Sequence, residues 1–424
     1  MAKMQITVCI LQKKRFKMKV YERLIKYAKY NTVSSETSGQ HPSTESQWVL
    51  AKELCDELTS LGCTDVRLSD KCYVYANLPA TKGLENAPKL GFIAHMDTAP
   101  SFSGEGVNPQ IIEGYDGLDL PLGDSGRVLS PKMFPHLESL KGRRLIVTDG
   151  TTLLGADDKA GIAEIMTMIE KIKDSGMAHG PLRIAFTPDE EIGEGADYFD
   201  VEGFDADFAY TLDGGVEGSM EFENFNAAGA DFTVHGVNVH PGSAKDVMIN
   251  AALVAVEIAS MLPAAQTPSH TSGYEGFYHL TDMSADVETA KLSYIVRDHD
   301  AASYDFRIKA LKQVARTVNE RYGEGTVELS IREQYRNMRE KIADHMHLID
   351  NAKAAAIKVG LTPTVEPIRG GTDGARLSYM GLPCPNLGTG GFAFHGPYEH
   401  ISIEGMEKAL EMIIEIVRIY SDFN

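Results

Sequence analysis

Three short apolar runs constrain the architecture more than anything else in the chain: Leu90–Ala94, Leu182–Phe186 and Phe208–Leu212. Near-continuous apolar runs of this length read as strands covered on both faces, the situation of a sheet with helices packed on either side. Amphipathic stretches alternate with them. Ile162, Ile165, Met168, Ile169 and Ile172 recur at helical spacing, so the class is α/β. Each run also stops on groups that can bind. The first ends in His95-Met96-Asp97, the second in Asp189-Glu190-Glu191 and the third in Asp213-Gly214-Gly215. Open α/β sheets take their ligands beyond the carboxyl ends of the strands.

A fourth acidic point lies at Leu153–Gly161, where Asp157 and Asp158 occupy a Gly-rich turn just before the amphipathic run. Alone, an Asp pair at a helix entrance caps open N–H groups and complements the macrodipole. The competing reading makes one of them an oxygen ligand for a divalent cation.

Composition narrows the partners. A formal charge of −19 over 424 residues argues against a nucleic acid or an anionic membrane surface. No apolar run reaches the length of a membrane span. Cys9, Cys55, Cys63, Cys72 and Cys384 are odd in number and lack CxxC spacing, which fits a reducing, cytoplasmic setting rather than a disulfide framework. Residues 1–17 put a short apolar stretch ahead of Lys13, Lys14, Arg15 and Lys17. That is the reverse of a signal peptide, and we expect a disordered extension.

The remaining pattern predicts helices at Val20–Ala28 and from a capping box at Thr44–Gln47 to Gly62. Trp48, Leu50, Leu54 and Leu58 are expected in the core. Residues 101–150 read as loop, and the tetrad Gly123-Asp124-Ser125-Gly126 as a polar turn rather than a serine-protease nucleophile. From Asn224 the texture changes: strand 231–237, helix 251–262, strands 276–283 and 290–296, helix 304–322, strand 326–331. The order β-α-β-β-α-β is a complete two-layer ferredoxin-like unit. The expected organisation is therefore an extension (1–17), a catalytic domain in two parts (18–223 and 337–424) with a mixed, mainly parallel sheet, and an inserted lid (224–336). In the second part, 368–374 reads as a Gly-rich turn and 403–420 as a closing helix. His136, His345 and His347 show no partner pattern.

Five strand ends or loops thus carry imidazole or carboxylate: His95/Asp97, Asp157, Glu190/Glu191, Asp213 and His395. The mixture suits zinc, cobalt or manganese better than a calcium cage. Five ligands with one bridging carboxylate suit two ions about 3.5–4 Å apart.

His95-x-Asp97, Gly155-Ala-Asp157-Asp-Lys-Ala-Gly161, Asp189-Glu190-Glu191-Ile-Gly193, Asp213-Gly-Gly215 and His395-Gly-x-x-Glu399 together resemble metallopeptidase family M20, and within it the peptidase T branch of aminotripeptidases. The likeness runs from about Met18 to the C-terminus. It implies that Asp157 bridges two divalent ions, zinc first and cobalt or manganese as alternatives, with Asp158 following across a cis peptide. His95 and Asp213 would complete one ion, Glu191 and His395 the other. Asp97 would orient His95, and Glu190 would be the general base for attack of a metal-bridging hydroxide on a tripeptide. His240 would reach the oxyanion from the lid. Arg297 and Arg369 would clamp the substrate carboxylate, assisted by Asn250 and Asp373, and the two domains would close on the peptide. Other M20 activities, a dipeptidase or an N-acyl amino-acid deacylase, and a non-catalytic peptide or metal binder stand as alternatives.

Overall fold

A computed structural model describes residues 17–422; of the expected extension, Met1–Phe16 lie outside the described residues. The chain enters through α1 (Val20–Ala28) and α2 (Gln47–Leu61). Leu50, Leu54 and Leu58 of α2 are fully buried, and Trp48 packs half-buried on the same core. Gly62 ends α2 at φ +83°, a conformation that costs glycine no Cβ clash. The start of α2 differs from expectation. Thr44 donates its hydroxyl to Val33 O at 2.9 Å and Ser46 makes no side-chain cap. Gln47 instead donates to the buried carboxylate of Asp189 at 2.6 Å. A buried carboxylate needs its hydrogen bonds more than an exposed helix end does, so the capping-box residues are drawn to it.

The central sheet contains β1 (Thr64–Leu68), β2 (Val74–Leu78), β3 (Leu90–His95), β4 (Leu182–Thr187) and β5 (Phe208–Leu212), in the order β1-β2-β4-β3-β5. Short strands Asn386–Leu387, Ser219–Glu221 and Thr364–Val365 extend it beyond β5. β3 pairs parallel with β4 and β5, with Ile93 opposite Ala185 and Thr211. The carboxyl ends of the three apolar runs therefore lie side by side on one rim. β1, β2 and the outer short strands supply antiparallel pairs, which makes the sheet mixed.

α3 (Ala156–Ser175) lies across the sheet against β3. Ile162, Ile165, Met168, Ile169 and Ile172 are all buried, each contributing about 1.5–3 kcal/mol. Gly161 lets α3 cross the end of β5, since a Cβ there would stand 2.2 Å from Leu212 O.

The segment between β3 and α3 is more ordered than a loop. Gln110–Ile112 and Leu145–Val147 join Gly391–Phe392 and His400–Ser402 in a second sheet. Gly123–Gly126 sits in the turn of a hairpin between Leu120–Pro121 and Val128–Leu129. Strands of two or three residues carry too little periodicity to be read from sequence.

The 224–336 stretch contributes β6 (Asn226–His235), α4 (Ala251–Met261), β7 (Phe277–Ala285), β8 (Thr289–Asp298), α5 (Ala301–Tyr322) and β9 (Val327–Tyr335). They form an all-antiparallel sheet in the order β7-β8-β6-β9. α4 and α5 cover one face with Val254, Ile258, Leu311, Val314 and Val318, a core separate from that under α3. The chain then returns through α6 (His347–Lys358), whose Leu348 carbonyl accepts the buried Tyr210 hydroxyl of β5 at 2.7 Å. α7 (Asp373–Tyr379) begins inside the stretch read as a turn, capped by Thr372. α8 (Ile403–Ser421) buries Met406, Leu410, Ile413 and Val417, with Ile414 half-buried. No helix among the described residues is long and apolar enough to cross a membrane.

Candidate metal centre

The rim at the ends of β3, β4 and β5 gathers the predicted ligands. His95 is the last residue of β3; its Nδ1 lies 3.1 Å from the backbone carbonyl of Asp97 and 3.4 Å from that residue's carboxylate. Donation to the carbonyl places the proton on Nδ1 and leaves the Nε2 lone pair facing Asp157 Oδ1 at 3.0 Å and Asp213 Oδ1 at 3.8 Å. The other oxygen of Asp157, Oδ2, lies 3.2 Å from Nε2 of His395, which is also 2.9 Å from Glu191 Oε2. One carboxylate thus faces an imidazole on each side. His95/Asp157/Asp213 and Asp157/Glu191/His395 are two of the three imidazole–carboxylate groups among the described residues with ion-binding spacing.

The electrostatics of the donors fit a pair of divalent cations. Burial raises the carboxyls of Asp213 and Glu191, and the neighbouring Asp157 charge raises them further. Burial works in the same direction on Asp157, but the two histidines outweigh it and hold that group below the ordinary carboxylate range. Burial opposes charge on His95, and Asp157, Asp97 and Asp213 overcome it. His395 is pushed up to about 10 by hydrogen bonding to Asp157 and Glu191. Glu191 Oε1 is buried without a hydrogen-bond partner. Lone pairs that converge on each other need positive charge between them, and divalent cations supply it with the ligand set His, Asp and Glu.

The local folding explains the placement. The Asp157–Asp158 peptide is cis. Asp158 turns inward, accepting from the backbone N–H of His95 at 3.1 Å and of Gly161 at 3.2 Å, so it ties the start of α3 to the end of β3. Asp97 accepts from the N–H groups of Glu190 (3.0 Å) and Glu191 (3.2 Å) as well as facing His95. Burial raises the Glu190 carboxyl well above its ordinary range, and Asp213 adds to it. Asp373 also reaches this rim, accepting from Thr187 Oγ1 at 2.8 Å; burial raises it to about 6.

Other predicted residues stand elsewhere. His240 is exposed and accepts from Gly242 N–H at 3.1 Å. Asn250 caps α4 through Leu253 N–H. Arg369 donates to the carbonyls of Thr271, Gly273 and Glu275 and lies over the Phe225 and Phe277 rings. Arg297 donates to the carbonyls of Ala228 and Val296 and lies over the Tyr335 ring. His136, which lacked a partner pattern, has its Nε2 3.0 Å from that of His400. In the third imidazole–carboxylate group, His41/Asp189/Glu194, Asp189 accepts from Ser43 and Gln47 and so anchors the loop before α2.

Glu399 was part of a motif but carried no assigned role. Its buried carboxylate accepts the backbone N–H groups of Leu154 (2.7 Å), Gly155 (2.8 Å) and Asp157 (3.0 Å), and burial raises it to about 7. Only its four-residue spacing from His395 hinted at this clamp. Glu399→Gln puts an amide N–H₂ against backbone N–H donors. We expect it to weaken cation affinity about 10–100-fold, measured by titration against a competing chelator, while Gly155 and α3 remain folded by circular dichroism.

Convergent strand ends, a doubly faced aspartate and a half-buried glutamate beside them suit metal-assisted hydrolysis. The family model for peptidase family M20/M25/M40 matches residues 148–419, and the chain belongs to that family of enzymes. It is similar to peptidase T of Clostridium novyi (strain NT), 55% identical over 404 residues, which cover 95% of this chain and 99% of the relative. Two solved structures share the fold. The aminopeptidase PepT of Bacillus cereus ATCC 10987 superposes with a TM-score of 0.76 at 23% identity, over 96% of this chain and 99% of that one. A tripeptidase from Staphylococcus aureus subsp. aureus Mu50 gives 0.76 at 22%, over 96% and 98%.

Proposed function

We propose that the chain is a dinuclear metallo-aminopeptidase that releases the N-terminal residue of tripeptides. The observation that carries the reading is Glu190: a half-buried carboxyl on the same rim as both ligand groups yet a member of neither. Similarity to peptidase T and to a solved tripeptidase supports the substrate class.

Two divalent cations, zinc before cobalt or manganese, would be held by His95, Asp157 and Asp213 and by Asp157, Glu191 and His395, and when bound they polarise the scissile carbonyl and acidify water. Glu190 takes the proton of the attacking water and returns it to the departing amine. Asp97 orients the reaction from below, because one carboxylate fixes His95 and the Glu190–Glu191 backbone together. The His395 side chain is half exposed whereas His95 is 2% exposed, so the peptide approaches from the His395 side.

Residues 224–336 act as the lid on a catalytic domain formed by 18–223 and 337–424. His240 and Arg297 reach the substrate from this lid when the two parts close, His240 toward the oxyanion and Arg297 toward the C-terminal carboxylate. Arg369, Asn250 and Asp373 assist after that movement, which would release Arg369 and Asn250 from their present partners. Cys55, Cys63, Cys72 and Cys384 are free, in keeping with a cytoplasmic setting.

The test is hydrolysis of a di-, tri- and tetrapeptide series with free amines, beside an N-acetylated tripeptide, before and after chelation. We expect the free tripeptide to be cleaved fastest, at its first bond, and activity to vanish with chelator and return with Zn²⁺. Preference for the dipeptide or the acetylated peptide would assign one of the other M20 activities. Metal binding with no hydrolysis would make the chain a binder.

A further inference from the structure

We propose that Tyr335 is a specificity-determining residue: its ring, backed by Arg297, walls off the substrate cleft and sets the length of peptide accepted. This rests on the tripeptidase reading above.

The placement follows from strand register. Ala227 of β6 lies opposite Arg297 of β8 on one side and Tyr335 of β9 on the other. Phe277 of β7 lies opposite Arg297. Directly opposed residues of antiparallel strands share a face. Phe277, Arg297, Ala227 and Tyr335 therefore form one row across all four strands, on the face that α4 and α5 leave uncovered. Methyl-sized Ala227 in the middle lets its neighbours meet over it, and the Arg297 guanidinium carbon stands 5.3 Å from the centre of the Tyr335 ring. The register shift between Ala227 and Ala228 re-aims the end of β9, as bulges commonly do.

From that row the ring reaches the catalytic rim. It lies flat on Gly371, where an added Cβ would stand 2.6 Å from Tyr335 Cε1 and 2.8 Å from Cζ. Gly371 is followed by Thr372, whose hydroxyl is 3.4 Å from Asp213 Oδ2. Tyr335 therefore stands between the Arg297 guanidinium on one side and the Gly371–Thr372 turn beside Asp213 on the other. In a tripeptide cleaved at its first bond, two residues separate the scissile carbonyl from the terminal carboxylate, about 7 Å of extended chain. On this proposal the Tyr335 ring meets the chain beyond the third residue.

The test measures kcat and KM separately for a tripeptide and a tetrapeptide sharing their first three residues. Tyr335→Ala should raise the tetrapeptide-to-tripeptide ratio of kcat/KM by about tenfold or more. Tyr335→Phe, which keeps the ring, should keep the wild-type ratio. Should the alanine variant fail to fold, Tyr335→Trp thickens the wall and should move preference toward dipeptides. An unchanged ratio in both the alanine and tryptophan variants would overturn the proposal, as would an equal fall in kcat for every peptide. A wild-type enzyme without tripeptide preference would instead overturn the reading of the function.

Discussion

A Glu190→Gln enzyme is expected to fold, to bind its full complement of cations, and to turn over about 10²–10⁴-fold more slowly. The substitution keeps the shape of the side chain and removes only its ability to accept and return a proton. Cation binding should survive, for Glu190 belongs to neither ligand group. The negative charge it removes is one that burial and Asp213 already disfavour. Its backbone N–H remains bonded to Asp97, so the loop that carries Glu191 stays in place. The check pairs steady-state kcat with metal content by elemental analysis of the same sample. Near-normal turnover at full metal content would strip Glu190 of its role.

The second large effect falls on stoichiometry. Asp157→Ala should reduce bound metal from two ions per chain toward none, whereas His395→Ala should leave about one. The difference arises because Asp157 alone presents an oxygen to both imidazoles, Oδ1 to His95 and Oδ2 to His395. Without it the Nε2 of each histidine keeps a single carboxylate partner, Asp213 or Glu191. Turnover should be lost in both variants. Equal metal content in the two would show that Asp157 does not bridge.

The sequence made the rim legible because apolar runs flanked by acidic or imidazole residues can hardly be anything but buried strands ending at a site. Parallel pairing then brings their ends together without further information. The ferredoxin-like order of the 224–336 stretch was legible for a similar reason, since β6 through β9 are long enough for period-two alternation to show. What depends on side-chain partners at long range was not. Thr44–Gln47 has the letters of a capping box, but the buried Asp189, 142 residues away, takes Gln47. The Arg297–Tyr335 row depends on register across β6 and on a bulge. Neither leaves a mark that can be counted along the chain. Glu399 looked like one more acidic residue until three backbone amides were found on it. Of the short strands between β3 and α3, Leu145–Val147 is fixed by His400–Ser402, more than 250 residues on, and nothing local announces it.

The distance along the chain between the halves of the centre has a consequence for biosynthesis. Asp157 and His395 are 238 residues apart, and the loop under Asp157 is held by Glu399, 242 residues from its backbone N–H. Closing contacts of that span is entropically costly and slow. On the ribosome, His395 and Glu399 emerge after His95, Asp157, Glu191 and Asp213, so a nascent chain can form most of its sheet while lacking one ligand and the carboxylate that holds the Asp157 loop. Assembly of the centre is thereby deferred until residues 395–399 have joined it.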